Sequence, residues 1–86
     1  MAEITIYTTS YCSYCRAATA LLAAKKVEFT EIDVTGDDAA RAALVERSGG
    51  RRTVPQVFID GKPIGGYDEL SGLDRSGRLD ELLQAG

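Results

Sequence analysis

The sequence predicts an α/β fold: a four-stranded mixed sheet with helices on both faces. Strand-like and helix-like stretches alternate through the first half of the chain, as they do when a sheet is wound with helices. In the second half a hairpin signal, Asp60-Gly61, separates two short runs of strand character. The 86 residues, 44% of them hydrophobic, suit a single domain spanning 1–86 and leave no room for a second.

Each element has its own signal. Ile4 and Ile6 alternate with polar neighbours and, with Tyr7, predict a first strand that ends at the Thr8 to Ser10 turn. From Ser13 to Lys26 there is no Gly or Pro, and Ala17, Ala20, Leu21 and Ala24 recur at helical spacing. Lys25 and Lys26 close that helix, where cations suit the dipole. Val27, Phe29, Ile32 and Val34 predict a second strand, closed by Thr35-Gly36. Either Thr35 or Asp37 can cap the next helix, which runs to about Ser48 and stops at Gly49.

Arg51 to Pro55 reads as a loop, Gln56 to Ile59 as a strand, Asp60-Gly61 as a turn and Pro63 to Gly65 as the paired strand. Two shorter helices follow, from about Tyr67 to Asp74 after Gly65-Gly66 and from about Arg78 to Gln84 after Gly77. A parallel, right-handed strand-helix-strand unit completed by a hairpin and helices is the thioredoxin-like arrangement.

Charge excludes some functions. Charged residues are 27% of the chain and spread along it, and the formal net charge is -3, so a phosphate-tracking nucleic-acid binder is not expected. Arg51 and Arg52 are only a pair. The start Met1-Ala2-Glu3-Ile4-Thr5-Ile6 lacks the basic and apolar run of a secretory signal, and no stretch approaches membrane-spanning length. The expectation is a soluble cytoplasmic protein with no nucleic-acid or membrane partner.

The chemistry concentrates in Cys12-Ser13-Tyr14-Cys15, placed where the first strand gives way to the first helix. A disulfide between residues three apart closes a tiny loop and constrains the unfolded chain little, so redox or metal chemistry explains the pair better. Zinc needs more ligands, and the chain has no His and no other Cys. A cysteine at a helix N-terminus meets unpaired N–H groups and the positive end of the dipole, both of which favour thiolate. Cys12 is therefore expected to be acidic and to attack. Cys15, one turn further in, is expected to lie deeper and to resolve.

Two further stretches stand out. In Thr53-Val54-Pro55-Gln56, the proline is either a simple strand-starting residue or a cis residue that turns the Val54 backbone outward to pair with an extended thiol peptide. In Gly65-Gly66-Tyr67-Asp68-Glu69-Leu70, glycines allow close approach to a ligand and the helix start offers N–H groups to a carboxylate. Asp68 is either the partner of a ligand ammonium group or an ordinary capping residue.

Together these stretches resemble the glutaredoxin family, close to the small bacterial dithiol glutaredoxins, in order and over nearly the whole chain. The matching segments are Ile6-Tyr7-Thr8, Cys12 to Cys15, Arg52 to Gly61 and Ile64 to Leu70. The resemblance implies a glutathione-dependent thiol-disulfide oxidoreductase, monomeric, acting on glutathionylated or disulfide-containing proteins. It further implies that Cys12 is the nucleophile and Cys15 the resolving thiol. Tyr14 would flank the glutathione groove, Thr53 and Val54 would pair with its cysteinyl part before a cis Pro55, and Gly66, Tyr67 and Asp68 would hold its γ-glutamyl end. For the glycyl carboxylate, Arg41 and Arg52 stay open, because Gly49-Gly50-Arg51-Arg52 carries an extra residue.

The chain departs from the family in having Ser13 where Pro is common and Thr9 where Lys is common three residues before the nucleophile. Two rivals follow from the same resemblance. In one, Cys12 from each of two chains and two glutathione thiols hold a bridging [2Fe-2S] cluster, for a carrier or sensor role. In the other the protein is a thioredoxin, which usually has Trp directly before the nucleophile, where this chain has Tyr11.

Overall fold

The first strand, Ile4–Thr8 (β1), turns Ile4 and Ile6 to one side and Tyr7 to the other, and that division sorts the molecule into two layers. The computed structural model describes residues 2–84, so Met1, Ala85 and Gly86 of the expected 1–86 domain lie outside the described residues. After β1 come Ser13–Ala24 (α1), Thr30–Asp33 (β2), Asp38–Arg47 (α2), Gln56–Ile59 (β3), Lys62–Gly65 (β4), Tyr67–Arg75 (α3) and Arg78–Gln84 (α4). The sheet order is β2-β1-β3-β4, with β2 parallel to β1 and the other pairs antiparallel. This is the expected four-stranded mixed sheet of a thioredoxin-like fold.

On one face Ile4, Ile6, Val57 and Ile59 pack against Ala18 and Leu22 of α1, Leu70 of α3, and Leu79 and Leu83 of α4. On the other, Tyr7 and Phe58 meet Leu44 of α2 and Val34. The Tyr7 and Phe58 rings stand edge to face, with centroids 5.5 Å apart. The Tyr7 hydroxyl accepts from Arg47 Nη1 at 2.8 Å, which satisfies the polar end of a buried ring.

Several element ends differ from the sequence expectation by a few residues, and the open choice of cap for α2 is decided. The second strand begins at Thr30 rather than Val27, because its first partner on β1 is Thr5. Val27 and Phe29 precede the ladder and pack, partly buried, against the larger core. The cap of α2 is Asp37, whose side chain accepts from Ala40 N at 3.0 Å, while the Thr35 hydroxyl accepts instead from Ser10 N at 2.9 Å. The first helix ends at Ala24, and Lys25 beyond it pairs with Asp74 of α3 at 2.6 Å and Asp80 of α4 at 3.0 Å. A cation expected to serve the helix dipole thus ties three helices together.

Leu22 is 0% exposed at the centre of the larger core, whereas Glu81 reaches Arg78 only across 3.9 Å at the surface. Leu22→Ala is expected to lower unfolding stability by about 2–5 kcal/mol through the cavity it leaves. Glu81→Ala should leave the urea midpoint within the error of the curve. Equal shifts for the two variants would contradict this account of the core.

Candidate active site

The loop that carries the first cysteine is tied at both ends. β1 ends on buried Thr8, buried Thr9 follows, and Ser10 is then fixed by its N–H to Thr35 Oγ1 and by its carbonyl, which accepts from Arg16 Nη2 at 3.3 Å. Two residues later Cys12 has extended backbone, φ -104 and ψ 114, and is the N-cap of α1. Its Sγ accepts from Cys15 N at 3.2 Å, the bond a Ser or Asp oxygen makes in other helices. The sulfur is half-buried and reachable.

Cys15 differs sharply. It is 3% exposed, and burial pushes its thiol up to about 11 from an ordinary 9.0. The hydrogen bond with Cys12 and the charge of Glu31 act in the same direction, and the Thr9 backbone N–H acts against them. Both thiols are free. The motif therefore offers one outer sulfur and one inner sulfur held protonated at neutral pH.

A groove of about 240 Å³ opens beside this pair, lined by Tyr14, Arg51, Thr53, Val54, Pro55, Gly66, Tyr67, Asp68 and Glu69. The seven residues that the resemblance put around glutathione are thus brought together from three segments of the chain. The Val54-Pro55 bond is cis, the conformation that the second reading of that proline asks for. The Val54 carbonyl accepts from the Cys12 thiol at 3.7 Å, so the outer sulfur touches the groove wall. Tyr14, 62% exposed, and Tyr67 stand with ring centroids 6.0 Å apart. Gly66 lets the two walls meet, since a Cβ there would lie 3.3 Å from the Pro55 carbonyl oxygen.

Four residues that the sequence did not single out also shape the site. Buried Gln56 donates from Nε2 to Thr53 Oγ1 at 3.1 Å and so orients the threonine. Glu69 Oε1 accepts from Gly66 N at 2.6 Å, so Glu69 caps α3 and Asp68 is left to face the groove. Arg51 enters the groove and pairs with Glu69 at 3.2 Å. Ser48 fixes the Arg51 backbone. The spacing of Gly66 and Glu69, an N-cap and its third helical residue, was a readable signal for the cap. Nothing local marked Arg51.

Arg41 and Arg52, the two arginines left open for a carboxylate, are not among the groove's lining residues. Arg41 Nη2 donates to the Arg52 carbonyl at 2.8 Å, and both line a neighbouring hollow of about 530 Å³ along α2. A larger hollow of about 740 Å³, bounded by residues 2–4, 27–30 and Leu83, includes neither thiol. The smaller groove is the candidate site, because its Val54 carbonyl accepts from the Cys12 thiol.

The Cys15 proton gives a pH signature. Because the folded chain holds it more tightly than the unfolded chain, its contribution to stability is present below about pH 9 and is lost as the pH rises toward 11. Site-resolved alkylation with iodoacetamide should show Cys15 labelling that climbs with pH and reaches no plateau before about 11. A plateau near neutral pH would contradict the burial described for this thiol.

Comparison with known proteins gives the same assignment from sequence and from shape. The Glutaredoxin family model matches residues 4–64. The chain is 50% identical to glutaredoxin 3 of Escherichia coli strain K12, over 98% of this chain and 100% of the relative. It is similar to the solution structure of glutaredoxin from Brucella melitensis, at 48% identity and TM-score 0.84, covering 98% of this chain and 90% of that one. It is also similar to a buckwheat glutaredoxin-glutathione complex, at 34% identity and TM-score 0.86, covering 95% and 76%. Among the described residues no helix is long and apolar enough to cross a membrane. A Cys-x-x-Cys pair capping the first helix, a mixed sheet of order β2-β1-β3-β4 and relatives of half-identical sequence agree: this chain belongs to the glutaredoxin family of thiol oxidoreductases.

Proposed function

We propose that the protein is a glutathione-dependent thiol-disulfide oxidoreductase that reduces protein-glutathione mixed disulfides and protein disulfides. The observation that carries this reading is the contrast between the two sulfurs: Cys12 reachable at the head of α1 and against the Val54 carbonyl, Cys15 sealed one turn below. The similar buckwheat glutaredoxin in complex with glutathione supports that tripeptide as the ligand of the groove.

In the first step the Cys12 thiolate attacks the glutathione sulfur of a mixed disulfide. The Cys12–glutathione bond forms, the old S–S bond breaks, and the protein thiolate leaves and takes a proton from solvent. The free N–H groups and dipole of α1 favour negative charge on the attacking sulfur. A second glutathione thiolate then attacks the glutathione sulfur on Cys12, releasing glutathione disulfide and restoring Cys12. Throughout, Tyr14 flanks the tripeptide, the Thr53 and Val54 backbone pairs with its cysteinyl part beside Pro55, and Gly66, Tyr67 and Asp68 hold its γ-glutamyl end. The Asp68 carboxylate would take the ligand ammonium group.

With a protein disulfide, Cys12 forms the mixed disulfide with the substrate, and Cys15 then attacks the Cys12 sulfur as it loses its proton. The Cys12–Cys15 bond forms, the substrate thiolate leaves, and two glutathiones reduce the new disulfide. Burial of Cys15 keeps its thiolate scarce at neutral pH, which favours the single-cysteine route whenever glutathione is abundant. The cluster-bridging alternative asks for one Cys12 sulfur from each of two chains and two outside thiols. The reachable Cys12 sulfur would be this chain's share of those four ligands, and no step here runs through a cluster.

The test is a glutathione-coupled assay on wild type, Cys12→Ser and Cys15→Ser. Loss of all turnover is expected for Cys12→Ser. For Cys15→Ser, turnover of glutathione mixed disulfides is expected to persist while reduction of protein disulfides is lost. Activity surviving in Cys12→Ser, or a wild type reduced by a flavoprotein reductase but not by glutathione, would overturn the reading.

A further inference from the structure

The two walls of the groove are joined by an ion pair, Arg51 Nη2 to Glu69 Oε1 at 3.2 Å. Arg51 belongs to the loop before Thr53, Glu69 to the first turn of α3, and both line the groove. The arginine is held there by design of the loop. Buried Ser48 Oγ accepts from the Arg51 N–H at 3.0 Å and shares its one proton between the Arg51 carbonyl at 3.0 Å and the Val45 carbonyl at 3.2 Å, which holds the Arg51 backbone in place. The reversal that allows this runs through Gly49 and Gly50, both at positive φ, 77 and 106. The next residue, Arg52, gives its carbonyl to Arg41 Nη2 and lines the neighbouring hollow instead. Of the groove's lining residues, Arg51 alone is cationic, against the carboxylates of Asp68 and Glu69.

Glu69 does two things with one oxygen. It accepts the Gly66 N–H and it neutralises Arg51. The first bond needs only an acceptor, the second needs the charge. The pair is about half exposed, 47% and 44%, so exchanging Glu69 for another carboxylate costs little.

We propose that Arg51 and Glu69 form a clasp across the groove: Glu69 holds Arg51 in the free protein, and a carboxylate of the thiol ligand takes Arg51 over when it binds. Glu69 is then an internal competitor, and the pair sets how strongly the groove prefers anionic thiol peptides to neutral ones. This rests on the reading of the groove as the glutathione site and adds to it a residue pair that tunes specificity. Asp68, beside the pair, keeps its own carboxylate for the ligand ammonium group.

Glu69→Gln separates the two bonds, because its side-chain carbonyl still accepts the Gly66 N–H while the charge on Arg51 is released. The experiment is single-turnover release of 2-mercaptoethanol from its mixed disulfide with glutathione, in wild type, Glu69→Gln, Arg51→Gln and the double variant, with unfolding midpoints recorded. Arg51→Gln should raise the half-saturating concentration about threefold with the limiting rate little changed, the pattern of a lost binding contact. Glu69→Gln should lower it about threefold, and this gain should vanish in the double variant. With the diethyl ester of glutathione in place of glutathione, all four proteins should bind alike, and rising salt should shrink the differences. A Glu69→Gln protein that folds normally yet binds no better, or a gain that survives without Arg51, would overturn the clasp and leave the proposed function standing. A wild type inert toward the mixed disulfide would remove both.

Discussion

A single sulfur-to-backbone bond organises the site: Cys12 Sγ accepting the Cys15 N–H at the head of α1. It does the work of a helix cap, and so it fixes the one reactive atom by the same contact that starts the helix. The position of Cys12 follows from where β1 stops and α1 begins, and Cys15 follows from the helix turn below. The core of Ile6, Ala18 and Leu22 holds that junction rigid, because α1 cannot shift on the sheet without opening it. Stability and chemistry therefore share one element.

The asymmetry of the two thiols has a plain physical origin. Both lie in the first turn of one helix, yet the N-cap residue looks outward along the axis while the residue three further on looks into the sheet. Desolvation then holds the inner thiol protonated, with Cys12 and Glu31 adding to the effect. An exchange enzyme benefits from such a division, since one sulfur is ready to attack and the other is withheld until a neighbouring disulfide draws it out.

The groove is assembled from walls that are far apart in the chain. Pairing of β3 with β1 carries the Thr53 to Pro55 loop to the side of Cys12, and the turn from β4 into α3 brings Gly66 to Glu69 opposite it. Small atoms matter at the meeting point. A Cβ on Gly66 would sit tightly, 3.3 Å from the Pro55 carbonyl oxygen, so glycine eases the approach of the α3 head. Polar groups beneath hold these walls in place: Gln56 orients the Thr53 hydroxyl, and Ser48 fixes the Arg51 backbone.

The sequence by itself determined the element types and the redox pair. Alternation in Ile4 to Tyr7, the Gly-free and Pro-free run from Ser13 and the Asp60-Gly61 turn are local signals, and local backbone preference decides them. The place of Cys12 at a strand-to-helix junction was readable for the same reason. Only tertiary structure decided the rest: that Val54-Pro55 is cis, that Val27 and Phe29 leave the ladder, that Asp37 rather than Thr35 caps α2, and that Arg51 rather than Arg41 or Arg52 enters the groove. Each of these depends on partners distant in sequence or on competition between neighbours for one contact. Glu69 takes the Gly66 N–H and leaves Asp68 for the groove, while Ser48 holds the Arg51 backbone and Arg41 holds the Arg52 carbonyl. Such choices are made between nearly equal local alternatives, so the packing around them settles what residue identity leaves open.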